Sequence, residues 1–383
     1  MRFCRIASRT FVWLLLVAVM AGCAGGKRED TGAASSATSV SGSAGSAAEN
    51  RAAIGSCDSG NVNDPDDPCV ITTVEQLQRL DDGPEGHYAL GSAIDASATK
   101  GWNDGAGFQP IRAFAGTFDG RGNVISGLYI NRPGDNNVGL FADTLEGSKV
   151  RDARLAPATV TGGSYVGMLV GEAQGAIVRS HVEGRVEGGC HVGGLAGVVL
   201  PNGSVTGASA RGQIVGTEAL VGGLVGRSRG QIDSSDSLAA VTGRSDVGGL
   251  VGSSGGNVYR SYSLQDSADG EPMLISTREL RVGGLIGQLT EGGTVQESYA
   301  VSFSGSTPLT DFVGHPLVSA GSGYEEGVSD SYFGGNQRQD SPMGERRAVK
   351  DMKLAATYQG WDFSAAWSLA EGDGYPDLVS NPR

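Results

Sequence analysis

One short phrase recurs along most of this chain, and its spacing limits the fold more than any other feature. It reads Val192-Gly-Gly-Leu-Ala-Gly197, Val221-Gly-Gly-Leu-Val-Gly226, Val247-Gly-Gly-Leu-Val-Gly252 and Val282-Gly-Gly-Leu-Ile-Gly287. Earlier variants are Val138-Gly-Leu-Phe141 and Val166-Gly-Met-Leu-Val-Gly171, and Val313-Gly-His-Pro-Leu317 is a decayed copy. The steps between successive valines are 28, 26, 29, 26, 35 and 31 residues. Self-similarity at such a fixed period marks stacked repeats.

A second phrase follows each valine by 11 to 15 residues: an apolar residue, two others, then a small one. The pairs are Val150/Ala153, Ile177/Ser180, Val205/Ala208, Ile232/Ser235, Val258/Ser261, Val295/Ser298 and Val328/Ser331. In the last three an aromatic comes next, at Tyr262, Tyr299 and Tyr332. A third short strand closes some units, as in Gly184–Gly188 and Gly212–Gly216. Three short strands per unit predict an all-β fold, a right-handed parallel β-helix, each rung about 4.8 Å above the last. A helical repeat is disfavoured, because each interior glycine would cost about 1 kcal/mol in a helix. A propeller blade needs four strands and a longer period.

Composition agrees. The chain of 383 residues has 63 glycines, 13 prolines and only 6% aromatics. Thin stacked layers need little Phe or Trp, and no Gly-X-Y run suggests collagen. The formal net charge is −13, with five lysines and none between Lys149 and Lys350. Such a surface should repel nucleic acid and polyanions such as uronic-acid polymers.

The N-terminus reads as an address. Three arginines precede the apolar run Phe11–Met20, which is long enough for a signal-peptide core and too short to span a bilayer. Met20-Ala21-Gly22-Cys23 resembles the bacterial lipobox. That resemblance implies cleavage after residue 22, acylation of Cys23 and attachment to a membrane. Loss of Arg2, Arg5 and Arg9 would bring the mature chain near −16. Ala24 after the cysteine implies outer-membrane sorting in a Gram-negative host. Residues 23–55 are rich in Ala, Ser and Gly and read as a flexible tether of roughly 30 Å reach.

Of the remaining cysteines, Cys57 and Cys69 flank a short acidic loop and are expected to form a disulfide in an oxidising compartment. Cys190 reads as a small buried hydrophobe. The loop acids Asp58, Asp64, Asp66 and Asp67 do not match a calcium loop.

Val-Gly-Gly-Leu-Val-Gly followed by Gly-x-Ile-x-x-Ser-x-Ser resembles the GLUG motif of bacterial surface proteins. Residues 56–135 look like the N-terminal cap and leading rungs, 136–335 the repeat β-helix, and 336–383 the closing segment. Thr72-x-x-Glu75 predicts a short capped helix over the first rung. Trp361, Phe363 and Trp367 are expected to plug the far end. Lateral loops are expected near 265–281 and 303–327, where the valine step lengthens. The resemblance implies an adhesin-like surface protein.

No catalytic, cofactor or metal constellation is expected. Gly226-Arg-Ser228-Arg-Gly230 and Gly252-Ser-Ser254-Gly-Gly256 match Gly-x-Ser-x-Gly, but in an all-β setting without the strand-to-helix turn of a nucleophile elbow. His87, His181, His191 and His315 fit no zinc spacing. The first reading is therefore a non-enzymatic envelope lipoprotein that binds a glycan or protein. The runner-up is a polysaccharide hydrolase or lyase, with Asp233, Asp236, Asp246, Arg227, Arg229 and Arg244 sharing a face. A structural spacer is the third.

Overall fold

The computed structural model describes residues 57–265, 274–302, 317–318, 327–334, 343–370, 372 and 374–380. They all lie within 41–383; the signal sequence, the lipobox and the whole tether fall outside them.

The described chain is a parallel β-solenoid with three walls. Wall one holds six strands, Phe141–Thr144 through Ile286–Leu289, each beginning in the last residues of the recurring phrase. Wall two is ten strands deep, from Cys69–Ile71 to Val328–Ser329. Wall three carries the longest strands, including Arg154–Gly162, His181–Gly188, Ser209–Gly216 and Asp236–Gly248. The second phrase and the short closing strand are thus two stretches of one turn.

The repeat columns become ladders. On wall two, Val150, Ile177, Val205, Ile232, Val258, Val295 and Val328 pair in register. On wall one, Leu169, Leu195, Leu224, Leu250, Leu285 and Leu317 are fully buried. Burying one such side chain contributes about 1.5–3 kcal/mol, and each rung adds several. From the decayed copy, Leu317 and Val318 continue this stack, and Val318 bridges Ile286.

Two corners per rung take a left-handed residue. One precedes the small residue after wall two, as at Asp152, Arg179, Ser234, Arg260, Glu297 and Asp330. There a serine replaces a turn partner. Ser261 donates to its own Tyr259 carbonyl (2.8 Å) and accepts from the Ser235 N–H of the rung before (3.2 Å). Ser298 and Ser331 repeat the pattern. The other corner precedes the phrase valine, at Asn137, Tyr165, His191, Leu220, Asp246 and Arg281. It lies so close to the next rung that only glycine fits opposite. A Cβ on Gly226 would stand 2.6 Å from the His191 carbonyl carbon.

Three expectations need correction. The helix Val74–Gln78 (α1) exists, but its N-cap is Thr73 with Gln76 as the reciprocal partner, one residue after the pair read from the sequence. Thr72 instead donates its hydroxyl to Asp58, and Gln76 Nε2 also donates to Asp58 (3.0 Å). The segment 265–281 is not all loop. Leu274–Gly283 is a strand that pairs with Val241–Gly248, so the second half of the segment belongs to wall three. Residues 266–273, 303–316 and 319–326 lie outside the described residues.

The aromatic cluster near the C-terminus does not plug the end. It lies along the outside of wall three. Tyr262, Tyr299 and Tyr332 occupy one outward column on successive rungs. Trp367 reaches Tyr262 (6.2 Å between ring centres) and Tyr299 (5.9 Å), and Trp361 reaches Tyr332 (5.9 Å). A plug would touch the last rung alone. Tyr262 and Tyr299 also donate their hydroxyls to Asp377 (2.8 Å) and to the Pro376 carbonyl.

Near the N-terminus, Cys57 and Cys69 form a disulfide with Cα atoms 5.2 Å apart. Closing so short a loop contributes about 3 kcal/mol on chain-entropy grounds.

Candidate functional site

Walls one and three each carry an outward column of side chains. On wall three the column below the tyrosines reads Arg154, His181, Ser209, Asp236. His181 Nδ1 and the Ser209 hydroxyl are 2.8 Å apart. This is not a nucleophile–base–acid relay, because the serine stands between the histidine and Asp236. Burial lowers the His181 pKa, and Arg154 and Arg211 push the same way. Asp152 opposes them only in part, so the imidazolium that a general base must become is disfavoured there.

The acids and arginines of the runner-up reading do not share a face. Asp233 pairs with Arg260 (3.1 Å), Asp246 with Arg281, and Glu218 with Arg244 (2.7 Å). Asp236 is buried on wall three. Only Arg227, on wall one, and Arg229, exposed in the bend that follows its strand, remain. The serines of the two Gly-x-Ser-x-Gly matches are buried, and they donate to Gly230 (3.0 Å) and Gly256 (3.2 Å) carbonyls, closing their own turns. Cys190 is 4% exposed, with Sγ 3.8 Å from the Ser164 hydroxyl. His87 contacts Thr117 (2.9 Å), and His315 lies outside the described residues. Among the described residues no three His, Cys, Asp or Glu side chains gather as a metal site would require.

The remaining column, on wall one, is the candidate site. In register it runs Asp143, Glu172, Val198, Arg227, Ser253, Gln288. Five rung steps span about 24 Å. All but Val198 and Ser253 keep partial exposure. Beside it runs the second left-handed corner, with Asn137, Tyr165 and His191. An open cleft of about 310 Å³, lined by Gln109, Arg112, Asp135, Asn137 and Ala142 among others, adjoins its acidic end.

The two ends differ in charge. Burial raises the pKa of Asp143, although it accepts from the Ala113 N–H (3.1 Å) and faces Arg112. Burial raises that of Glu172, and the neighbouring Asp143 adds to it. At the other end His191 is 4% exposed and its ring stacks on Tyr165 (4.6 Å, 22°). Burial first, then Arg227 and Arg229, push its pKa down to about 4. Burial and Arg229 also weigh against the charged form of Arg227. Among the described residues Arg227 forms no ion pair, whereas Arg112, Arg132, Arg151, Arg179, Arg185, Arg244, Arg260, Arg281 and Arg347 each do.

Sequence reasoning missed Asp143, Glu172, Tyr165 and the environment of His191. The signal was present: all sit at fixed phases of the repeat, one residue before its valine or just after its last glycine, whose place Ala142 takes before Asp143.

No family model matches the chain. It is 41% identical to halomucin of Haloquadratum walsbyi over 152 residues, which is 37% of this chain and 2% of that protein. It is 30% identical over 405 aligned positions to a protein of Evansella cellulosilytica named "Putative Gly-rich membrane protein". That alignment covers 84% of this chain and 46% of the relative, so the chain spans less than half the length of the curated relatives it matches. A solved structure named "putative immunoglobulin A1 protease", from Bacteroides ovatus, superposes with a TM-score of 0.56 at 18% identity. It covers 85% of this chain and 95% of that one. What they share is the fold.

Proposed function

We propose that this chain is a non-enzymatic cell-envelope lipoprotein of the GLUG type, anchored through Cys23 and sorted to the outer membrane. Its β-solenoid presents the outer column of wall one to a glycan or a partner protein, in the manner of an adhesin. The observation that carries this reading is the contrast in charge pairing. On wall two and at the corners, rung-to-rung ion pairs such as Arg151–Asp119, Arg179–Asp152, Arg260–Asp233 and Arg281–Asp246 close the charges, while among the described residues Glu172 and Arg227 on wall one form none. The names of the halomucin and membrane-protein relatives support an envelope location. Protease shaving of intact cells, followed by blotting for residues 70–383, tests it. Clipping from living cells is expected, and Cys23→Ser should release the domain to the soluble fraction. Survival until the envelope is broken would sink the adhesin reading.

A second reading, glycan hydrolysis, is favoured by one observation. Asp143 and Glu172 stand on adjacent rungs, about 4.8 Å apart along the stack, with both pKa values raised. Paired carboxylates about 5–5.5 Å apart suit a retaining mechanism. Release of reducing ends from polysaccharides, abolished in Asp143→Asn and Glu172→Gln, would establish it. A wild-type chain that releases none removes it. Proteolysis finds no comparable support at Ser209, whose histidine has no hydrogen-bonded carboxylate among the described residues.

A further inference from the structure

Arg227 is the anomaly of the outer wall. It is half-buried in an acidic chain, yet among the described residues it has no carboxylate partner. The charge that acts most directly on it is another cation, Arg229. The backbone beside it, at Gly226, packs against His191. The buried Nδ1 of His191 has no hydrogen-bond partner among the described residues. So two guanidinium groups bear electrostatically on an imidazole whose Nδ1 is unsatisfied, and among the described residues none of the three side chains meets an acceptor. Buried polar groups are ordinarily partnered, and buried charges are ordinarily paired. An arrangement rich in donors and poor in acceptors is complete only when an anion arrives.

We propose that Arg227, His191 and Arg229 form a subsite for a single oxyanion, a carboxylate or a sulfate, carried by a glycan lying along wall one. The proposal deepens the binding function given above and rests on it. The guanidinium fork matches the planar pair of oxygens that either anion offers. Tyr165, stacked on His191, supplies a half-buried aromatic wall beside the anion. A glycan fits better than a peptide, because the column is a row of polar side chains whose one apolar member, Val198, is buried. Protein partners need an exposed aromatic or aliphatic anchor. A single anion fits better than a polyanion. Glu172 stands two rungs away, about 10 Å, and would repel a second negative group. The net charge of the chain would repel the rest.

The test uses the full chain and two arms. In the first, phenylglyoxal labels arginines, and peptide mass spectrometry follows Arg227. Sodium sulfate and sodium acetate are compared with sodium chloride at equal ionic strength. At twice the dissociation constant, mass action leaves about one third of the site open, so Arg227 labelling should slow about threefold. Arg154, exposed on wall three, should be unaffected. Whichever ion protects better identifies the group. In the second arm, oligosaccharides carrying one sulfate or one uronate are compared with the neutral sugar. The charged form should bind about tenfold more tightly, the worth of one charge-assisted hydrogen bond. Arg227→Gln should abolish both the protection and the preference.

Equal protection by sulfate, acetate and chloride would overturn the subsite, and if both sugars still bind equally the glycan-binding function survives without it. Protection by sulfate or acetate with no binding of any sugar would keep the anion site but overturn its glycan carrier, and the binding function with it.

Discussion

Walls one and three are built alike and finished differently. Both carry an outward column of side chains about 4.8 Å apart. On wall three the last rungs place Tyr262, Tyr299 and Tyr332 in that column, and the chain's own C-terminal segment covers them with Trp361 and Trp367. On wall one the column is polar except for Val198, and Asp143, Glu172, Arg227 and Gln288 keep partial exposure. The difference shows how a solenoid chooses between stability and recognition. Aromatic columns recruit a cover, which buries them and ends their availability. A polar column with unmatched charge stays open, and its incomplete hydrogen bonding is left for a ligand. Function is to be sought on the wall where packing is least finished.

The comparison breaks most visibly at the cover. Trp367 is fully buried and stacks on Trp361 at 4.5 Å. Trp367→Ala should destabilise by about 3–5 kcal/mol, read from urea unfolding. The loss should be regional, since each rung of a solenoid contacts only its neighbours. Hydrogen exchange should rise at Tyr262–Leu264 and Tyr299–Val301 and stay unchanged at Val170–Ala173. Equal loss along both walls would mean that the two are one cooperative unit and that the contrast is superficial.

A smaller effect is expected inside wall one. Gly226→Ala puts a methyl group 2.6 Å from the backbone of His191 and from the Gly197 oxygen. Overpacking of this kind costs about 1–3 kcal/mol, seen as a lower Tm. The same change should disturb anion binding, because it moves His191 away from Arg227. A Tm unchanged from wild type would show that the corner can yield, and with it the rigidity of the site.

The corner shared by all rungs is a control for both walls. Ser261→Ala removes the hydroxyl that accepts from the Ser235 N–H. The cost should be about 1–2 kcal/mol in chemical denaturation. It stays modest because Ala153 and Ala208 already occupy this column in other rungs. A much larger loss would show that the serine stack carries more of the fold than its geometry implies.

The architecture was legible because the phrase has a period, and a period of paired valines and leucines becomes a ladder whatever lies outside it. The outer columns were not read, although the letters were there. Tyr262, Tyr299 and Tyr332 stood at one phase and pointed to a lateral cover, but the tryptophans were assigned to the solenoid end by their place near the end of the chain. Asp233, Asp236 and Asp246 were grouped because they fall in adjacent repeat units. A rung changes wall every few residues, so neighbours in sequence point in different directions, while Asp143 and Glu172, 29 residues apart, stand side by side. Charge pairing is likewise a matter of columns: Asp246 meets Arg281 across the long step of the repeat.

The finest probe of the open wall is acid. His191 has its folded pKa pushed down to about 4 from an ordinary value near 6.5, by burial and then by Arg227 and Arg229. A base whose folded pKa is depressed binds its proton more readily when unfolded. Its contribution to stability is therefore present above about pH 6.5 and is lost as pH falls toward 4. His191→Gln should remove that part of the stability–pH curve, leaving the carboxylates to govern the region below. Arg227→Gln should shift the loss the other way. With one cation gone, the imidazolium is less opposed, the folded pKa rises toward 6.5, and the decline between pH 6.5 and 4 becomes shallower. Sulfate bound at the site should act like Arg227→Gln, by neutralising the same field. Urea midpoints measured from pH 4 to 7, with and without sulfate, give all three curves. If Arg227→Gln leaves the slope untouched, the arginine and the histidine do not share a field, and the open end of wall one is two unrelated residues rather than one site.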